Sequence, residues 1–196
     1  MKYNAMMAMV GSALNGMMKK DIPDREVRKK IGREYRNVIL RAADIGSSNK
    51  LLNSDLLAAY FMAMNREDGK TPEENIAIME KNMRSSRLMK AVMGDSKHYF
   101  SEKNMESRRK WSAQTHEKKY ENDWVVDVLE KTDDYTFGLD YLECGVCKLC
   151  RDEGCPELAK YMCSLDFMLA ELIGARLTRT MTLAEGAPKC DFRFHQ

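Results

Sequence analysis

No stretch of this 196-residue sequence approaches the roughly 20 consecutive apolar residues that a membrane-spanning helix needs. A membrane-embedded role is therefore excluded as a first reading. Charge of one sign is scarce too. The net charge is +2, too little for a chain whose main partner is nucleic acid. Histidine is limited to His98, His116 and His195, far apart and without H-x-x-x-H spacing, so no histidine metal site or His-centred relay is read. There is no internal repeat, low-complexity tract or linker-like run. The opening segment, MKYNAMMAMVGSALNGMMKK, lacks a convincing cleavage site, and its apolar middle is broken by Gly11, Ser12, Asn15 and Gly16. It reads as an amphipathic helix. A cytoplasmic location follows as the expectation, which places the cysteines in a reducing compartment.

What is present is an ordinary globular balance, 44% apolar and 32% charged, enough for one domain over 1–196 with its own core. The first 120 residues read as helices. Asp24 caps a helix through REVRKKIGREYRNVILRAAD, and SDLLAAYFMAMN is a short apolar helix. TPEE is a capping box, with Thr71 as cap, Pro72 in the first helical position and Glu74 reaching back. That helix is expected to run to Met93, with Gly94 as terminator, and one long charged helix is expected to follow.

The pattern changes near residue 122. DWVVDVLEK and YTFGLDYLEC alternate as strands, with Tyr135, Phe137, Leu139 and Tyr141 on one face of the second. A helix over 156–173 follows, its core stripe formed by Leu158, Met162, Leu165, Leu169 and Leu172. RLTRTMTLAEG and KCDFRFHQ then read as a hairpin turned at Gly186-Ala187-Pro188. The expected fold is α+β: a helical N-terminal half, then a β-β-α-β-β unit with a four-stranded antiparallel sheet near 123–131, 135–144, 176–185 and 189–195.

Cysteine is the unusual component. Cys144, Cys147, Cys150 and Cys155 fall within twelve residues, followed by Pro156. The run departs by one residue from the C-x2-C-x2-C-x3-C-P of ferredoxins. Four converging thiolates would hold iron–sulfur or zinc; the alternative is that several are small buried hydrophobes. Cys163 and Asp166 share one strip of the helix, beside its core stripe, and a thiol beside a carboxylate is a nucleophile–base pairing. In the last strand Cys190, Phe192 and Phe194 face one way and Asp191, Arg193 and His195 the other. Arg179 and Arg193 are the cations that would receive a substrate carboxylate.

Together these residues resemble the L-2-amino-thiazoline-4-carboxylic acid hydrolase family. The resemblance is carried by Cys144 at a strand end, GCPEL opening a helix, CSLD (Cys163 and Asp166) within it, RTMTLAEG (Arg179 to Gly186) and CDFRF (Cys190 to Phe194). IGSSNKLLNSDLLAAYFMAM and GKTPEEN are similar to the family's helical half. The resemblance implies hydrolysis of a small thiazoline carboxylate to a carbamoyl-cysteine. Cys163 or Cys190 would be the nucleophile, Asp166 the acid–base group, and Arg179 or Arg193 the substrate cation. Small-molecule substrate, but no nucleic acid or membrane, is the implied partner. Cys147, Cys150 and Cys155 lie outside the family pattern, which argues against an iron–sulfur cluster and leaves no cofactor as the expectation. The fold also looks like vinyl-reductase-type sensory domains, some of which hold zinc through cysteines. That makes Cys144, Cys163 and Cys190 a candidate zinc set, and a non-enzymatic ligand-binding module the rival reading.

Overall fold

The computed structural model describes residues 1–196, Val92 by its backbone alone. Helix α1 (Ala5–Met17) starts on the Asn4 side chain, and α2 (Arg25–Arg41) on Asp24, which accepts from the backbone of Glu26 and Val27. Helix α3 (Leu52–Glu67) is apolar around most of its circumference, and Leu56 through Met64 are almost all sealed from solvent. It is the hub of the helical half, with α2 packed along it through Ile31, Tyr35, Val38 and Ile39.

The capping box forms as expected on α4 (Pro72–Ser85). The helix does not continue to Met93. It breaks at Ser86, whose backbone is extended and whose hydroxyl accepts from Met89 N–H to start α5 (Arg87–Met93). A side chain that satisfies an orphan N–H makes restarting cheap. Gly94 ends that second piece at φ 75°, a left-handed backbone that glycine accepts without a Cβ clash. The long charged helix is likewise divided, into α6 (Ser96–Tyr99) and α7 (Glu102–Thr115), with Ser101 as the new cap.

The second half holds β1 (Val125–Leu129), β2 (Phe137–Glu143), α8 (Gly145–Asp152), α9 (Ala159–Leu172), β3 (Arg176–Thr178) and β4 (Cys190–His195). The sheet is antiparallel throughout, in the order β1-β2-β4-β3. Phe137 lies opposite Phe194, Leu139 opposite Phe192 and Tyr141 opposite Cys190, which puts these six on one face. Helices α9 and α7 lie against the ends of the sheet, α9 on β3 and α7 on β1.

Three expectations change. The strand near 176–185 ends at Thr178. Beyond it Asp191 takes hydrogen bonds from the backbone of Thr180 and Met181, which draws the chain out of the ladder into a turn at Leu183–Glu185. Tyr135 precedes β2 and its ring meets Arg193, on the far face from Phe137. Along α9 and the 3-10 turn that leads into it (Pro156–Leu158), the buried stripe is Leu158, Met162, Leu165 and Met168, while Leu169 and Leu172 are half-buried. Helix α9 is covered by α4 as well as by β3, so its apolar face is broader than one row.

Helix α8 starts directly from the last residues of β2, with Cys144 as its N-cap. Gly145 makes the approach of Trp124 feasible: a Cβ there would stand 2.7 Å from the indole ring carbons. Among the described residues no helix is long and apolar enough to cross a membrane.

Candidate functional site

Four elements bring the family-pattern residues together. Cys144 follows β2, Cys163 and Asp166 sit one turn apart on α9, Arg179 follows β3, and Cys190 opens β4 beside Tyr141. Arg179 organises them. Its Nη1 donates to Asp166 Oδ2 at 2.6 Å and its Nη2 to the Cys163 carbonyl at 3.1 Å. The guanidinium carbon lies 4.9 Å from the Phe167 ring centre and 5.1 Å from that of Phe192. Fixed between two rings and a carboxylate, with 7% of its side chain exposed, Arg179 has little freedom to follow a second anion.

The electrostatics are those of an enclosed place. Burial pushes the Asp166 carboxyl up to about 6, with Arg179 opposing. Burial also pushes the Cys163 thiol up to about 12, and the neighbouring Asp166 charge adds to it. The Cys190 thiol is pushed up to about 11 by burial, partly offset by Leu183 N–H donating to its sulfur at 3.1 Å. Cys144 is raised by its hydrogen bond with the Cys147 thiol and then by burial. Tyr141 is raised by burial and by the proximity of Tyr99, Asp166, Cys144 and Cys190. These groups therefore occupy one electrostatic neighbourhood.

The same groups have a second property in common. Tyr99, Tyr141, Cys144, Cys163 and Asp166 all keep some accessible surface. For Asp166 it is 32% of the side chain. Yet each is enclosed closely enough for burial to raise its pKa. We take this partly accessible, enclosed surface between α9, the Phe137–Cys190 face of the sheet and the α6–α7 corner as the candidate recess. A separate open recess of about 490 Å³, lined by Lys118, Tyr120, Trp124 and Glu143 among others, contains none of Cys163, Asp166, Arg179 or Cys190.

Arg193 is not brought to the recess. It lies across Gly138 on the opposite face of the sheet, paired with Asp140 at 2.8 Å. His195 shares that far face and meets Thr178, and His116 pairs with Asp127 at the surface. The six cysteines are all free thiols. Cys150 is sealed in the core, where burial and then the neighbouring Cys155 and Cys144 push its thiol up, and Cys155 lies 4.0 Å from an Arg66 nitrogen. Among the described residues no three His, Cys, Asp or Glu side chains are placed to hold a metal ion. Cys144, Cys163 and Cys190 face one region without forming a ligand set.

Sequence reasoning missed Tyr99, Tyr141 as a site residue, and Arg108. Arg108 is 7% exposed, with its guanidinium against the Tyr99 and Phe137 rings. The signal was its place one turn from Met105 on the buried side of α7.

Comparison with known proteins adds one finding. The family model described as L-2-amino-thiazoline-4-carboxylic acid hydrolase matches residues 49–194, which takes in Cys144, Cys163, Asp166, Arg179 and Cys190. No curated protein and no solved structure matches.

Proposed function

The chain belongs to the L-2-amino-thiazoline-4-carboxylic acid hydrolase family, and from that premise we propose that it hydrolyses a small thiazoline carboxylate, or a close cyclic amidine, in the recess beside α9. The observation that carries this reading is the Asp166–Arg179 pair, 2.6 Å apart, with the carboxyl raised to about 6. A general base works best with a pKa near the operating pH. At pH 7 Asp166 is largely ionised, yet basic enough to take a proton. Arg179 holds the carboxylate in one orientation and leaves its other oxygen for a water.

The nucleophile in this reading is that water. Thiols raised to about 11 and 12 are thiolate only to about one part in ten thousand or less at pH 7. Cys163 and Cys190 then serve as walls, and the sequence-based assignment of a cysteine nucleophile gives way to Asp166. The water oxygen bonds to the amidine carbon as Asp166 takes one proton, and the ring nitrogen is protonated. The carbon–sulfur bond then breaks, the carbon keeps its oxygen as a carbonyl, and the remaining proton ends on the departing sulfur. One water is consumed, and its two hydrogens finish on nitrogen and sulfur.

Hydrolysis of 2-amino-thiazoline-4-carboxylate, followed by release of free thiol, tests the reading. Asp166→Asn is expected to lose at least ~100-fold in kcat/KM, with far-UV circular dichroism confirming the fold. Cys163→Ala is expected to stay within about tenfold. Because the base must be deprotonated, kcat/KM should fall as pH drops through about 6. That limb should vanish in Asp166→Asn. Full activity in Asp166→Asn would sink the mechanism, and tight binding without turnover by the unmodified protein would favour a non-enzymatic ligand-binding module.

A further inference from the structure

Arg108 is a buried cation without an anion. It makes no ion pair among the described residues. Its Nη1 donates to the Tyr99 carbonyl at 2.8 Å and lies 3.4 Å from the Met105 sulfur. Nε and Nη2 make no hydrogen bond of ordinary geometry among the described residues, and the Tyr99 hydroxyl stands beside the guanidinium. They are not sealed off either: the sealed, unpartnered side-chain atoms there are Asp55 Oδ1 and Asn75 Oδ1. The open edge of the guanidinium thus meets accessible space.

Its surroundings raise the cost of that charge. The Tyr99 and Phe137 rings, whose centres are 5.7 Å apart, both lie against the guanidinium, 4.2 and 4.5 Å from its carbon, so aromatic carbon covers one side of it. A second cation stands close by. Lys50 donates to Ser107, the residue before Arg108, and its pKa is lowered by burial and by the Arg108 charge. Lys50 has no carboxylate partner among the described residues either. Arginine does not escape by losing its proton. Two neighbouring positive charges, one of them buried, are costly unless an anion joins them.

The position of the guanidinium is set by its neighbours. Arg108 packs on Phe137, which shares its sheet face with Tyr141 of β2 and with Phe192 and Cys190 of β4, and Phe192 in turn meets Arg179. Arg108 therefore stands at the opposite end of the recess from the Asp166–Arg179 pair. Arg179 is held by Asp166, and Arg193 by Asp140 on the far face. We propose that Arg108 receives the carboxylate of the bound small molecule through Nε and Nη2. The inference rests on the recess being the binding site. It makes the ligand class a small, flat heterocyclic carboxylate, stacked near Tyr99 and Tyr141, with its reactive carbon turned toward Asp166. The planar fork of arginine matches a carboxylate in two parallel hydrogen bonds, which lysine does not reproduce.

The test uses two probes that cannot be hydrolysed in the ring, thiazole-4-carboxylate and thiazole-4-carboxamide, titrated calorimetrically into the full chain. The unmodified protein is expected to prefer the carboxylate by about tenfold or more. Arg108→Met should remove that preference while Arg193→Met keeps it. Where Arg108→Met does not fold, Arg108→Lys decides. Carboxylate binding weakened several-fold with carboxamide binding unchanged supports the role; carboxylate affinity equal to the unmodified protein overturns it. A preference retained in Arg108→Met, or no carboxylate preference in the unmodified protein, also overturns it. These outcomes do not depend on turnover. A clear preference without hydrolysis would count against the hydrolase reading alone, and hydrolysis with unchanged KM in Arg108→Met would count against Arg108 alone.

Discussion

Asp55 shows how costly one side chain can be. It lies in the first turn of α3, 3% exposed, and its Oδ1 is sealed without a hydrogen bond. Burial, and then the nearby Asp123 charge, push its carboxyl up to about 8 from an ordinary 3.8. It is therefore mainly protonated at neutral pH when folded and ionised when unfolded. A folded pKa above the unfolded one means that the folded state holds the proton more tightly, so stability falls as pH rises from about 4 to about 8. Asp55→Asn does not ionise and escapes that loss. Urea denaturation should show the variant gaining about 1–4 kcal/mol, relative to the unmodified chain, between pH 5 and pH 8. An equal difference at both pH values would mean that Asp55 is neutralised by a partner. At this scale the sequence was uneven as a guide. Cys163, Asp166, Arg179 and Cys190 were legible because they form a joint pattern across α9, β3 and β4. Arg193 was not separable from Arg179, because strand alternation cannot be phased across the irregular connection from Arg179 to Lys189. Arg108 was hidden in ESRRKW, a charge run that reads as a solvated helix face. Only its alignment with Met105 and Trp111 on the inner side of α7 marks it as different.

Elements were read best where local chemistry alone sets the boundary. The Thr71–Glu74 capping box is complete within four residues, and it formed as expected. The break at Ser86 was not read, because the helical period runs through it and no proline or glycine marks it. Its cause is a serine able to cap the next helix, an option that only tertiary packing selects. Helix α9 makes a finer test of what packing adds. Leu165 is 1% exposed and Leu169 only half-buried, although both belong to the same sequence stripe. Leu165→Ala should cost about 2–5 kcal/mol, through lost transfer energy and the cavity left behind. Leu169→Ala should cost clearly less, since solvent can enter the space it vacates. Chemical denaturation of both variants checks this, and equal costs would mean that α9 is buried evenly along the stripe.

For the molecule as a whole, α1 and α2 precede the segment that matches the family, yet they are tied into it. One hydrophobic cluster runs from Met7 to Phe194. A polar clamp reinforces it where α2, α3 and the residue after α8 meet. Arg66 Nη1 bridges Glu34 at 2.7 Å and Glu153 at 2.9 Å, and Arg41 bridges the same two carboxylates at 2.9 and 2.7 Å. Glu153 keeps only 6% of its side chain exposed. Burial alone would raise both glutamates, but the two arginines outweigh it and hold both pKa values below the ordinary range. An isolated surface pair contributes little, and Arg41 is half-exposed, so its share is discounted. The buried Glu153 is different: removing its charge leaves Arg66 with Glu34 as its only carboxylate, beside its hydrogen bond to the Glu153 carbonyl. Glu153→Gln should cost about 1–3 kcal/mol at pH 7. A depressed carboxylate pKa gives stability that is present above the unfolded value and lost as pH falls through the folded one. The cost should therefore shrink toward zero in strongly acidic solution. A double-mutant cycle with Arg66→Met should give a coupling of about 0.5–3 kcal/mol at pH 7. Additive losses at pH 7, or a cost that persists unchanged in acid, would mean that the hydrophobic cluster alone joins the leading helices to the rest.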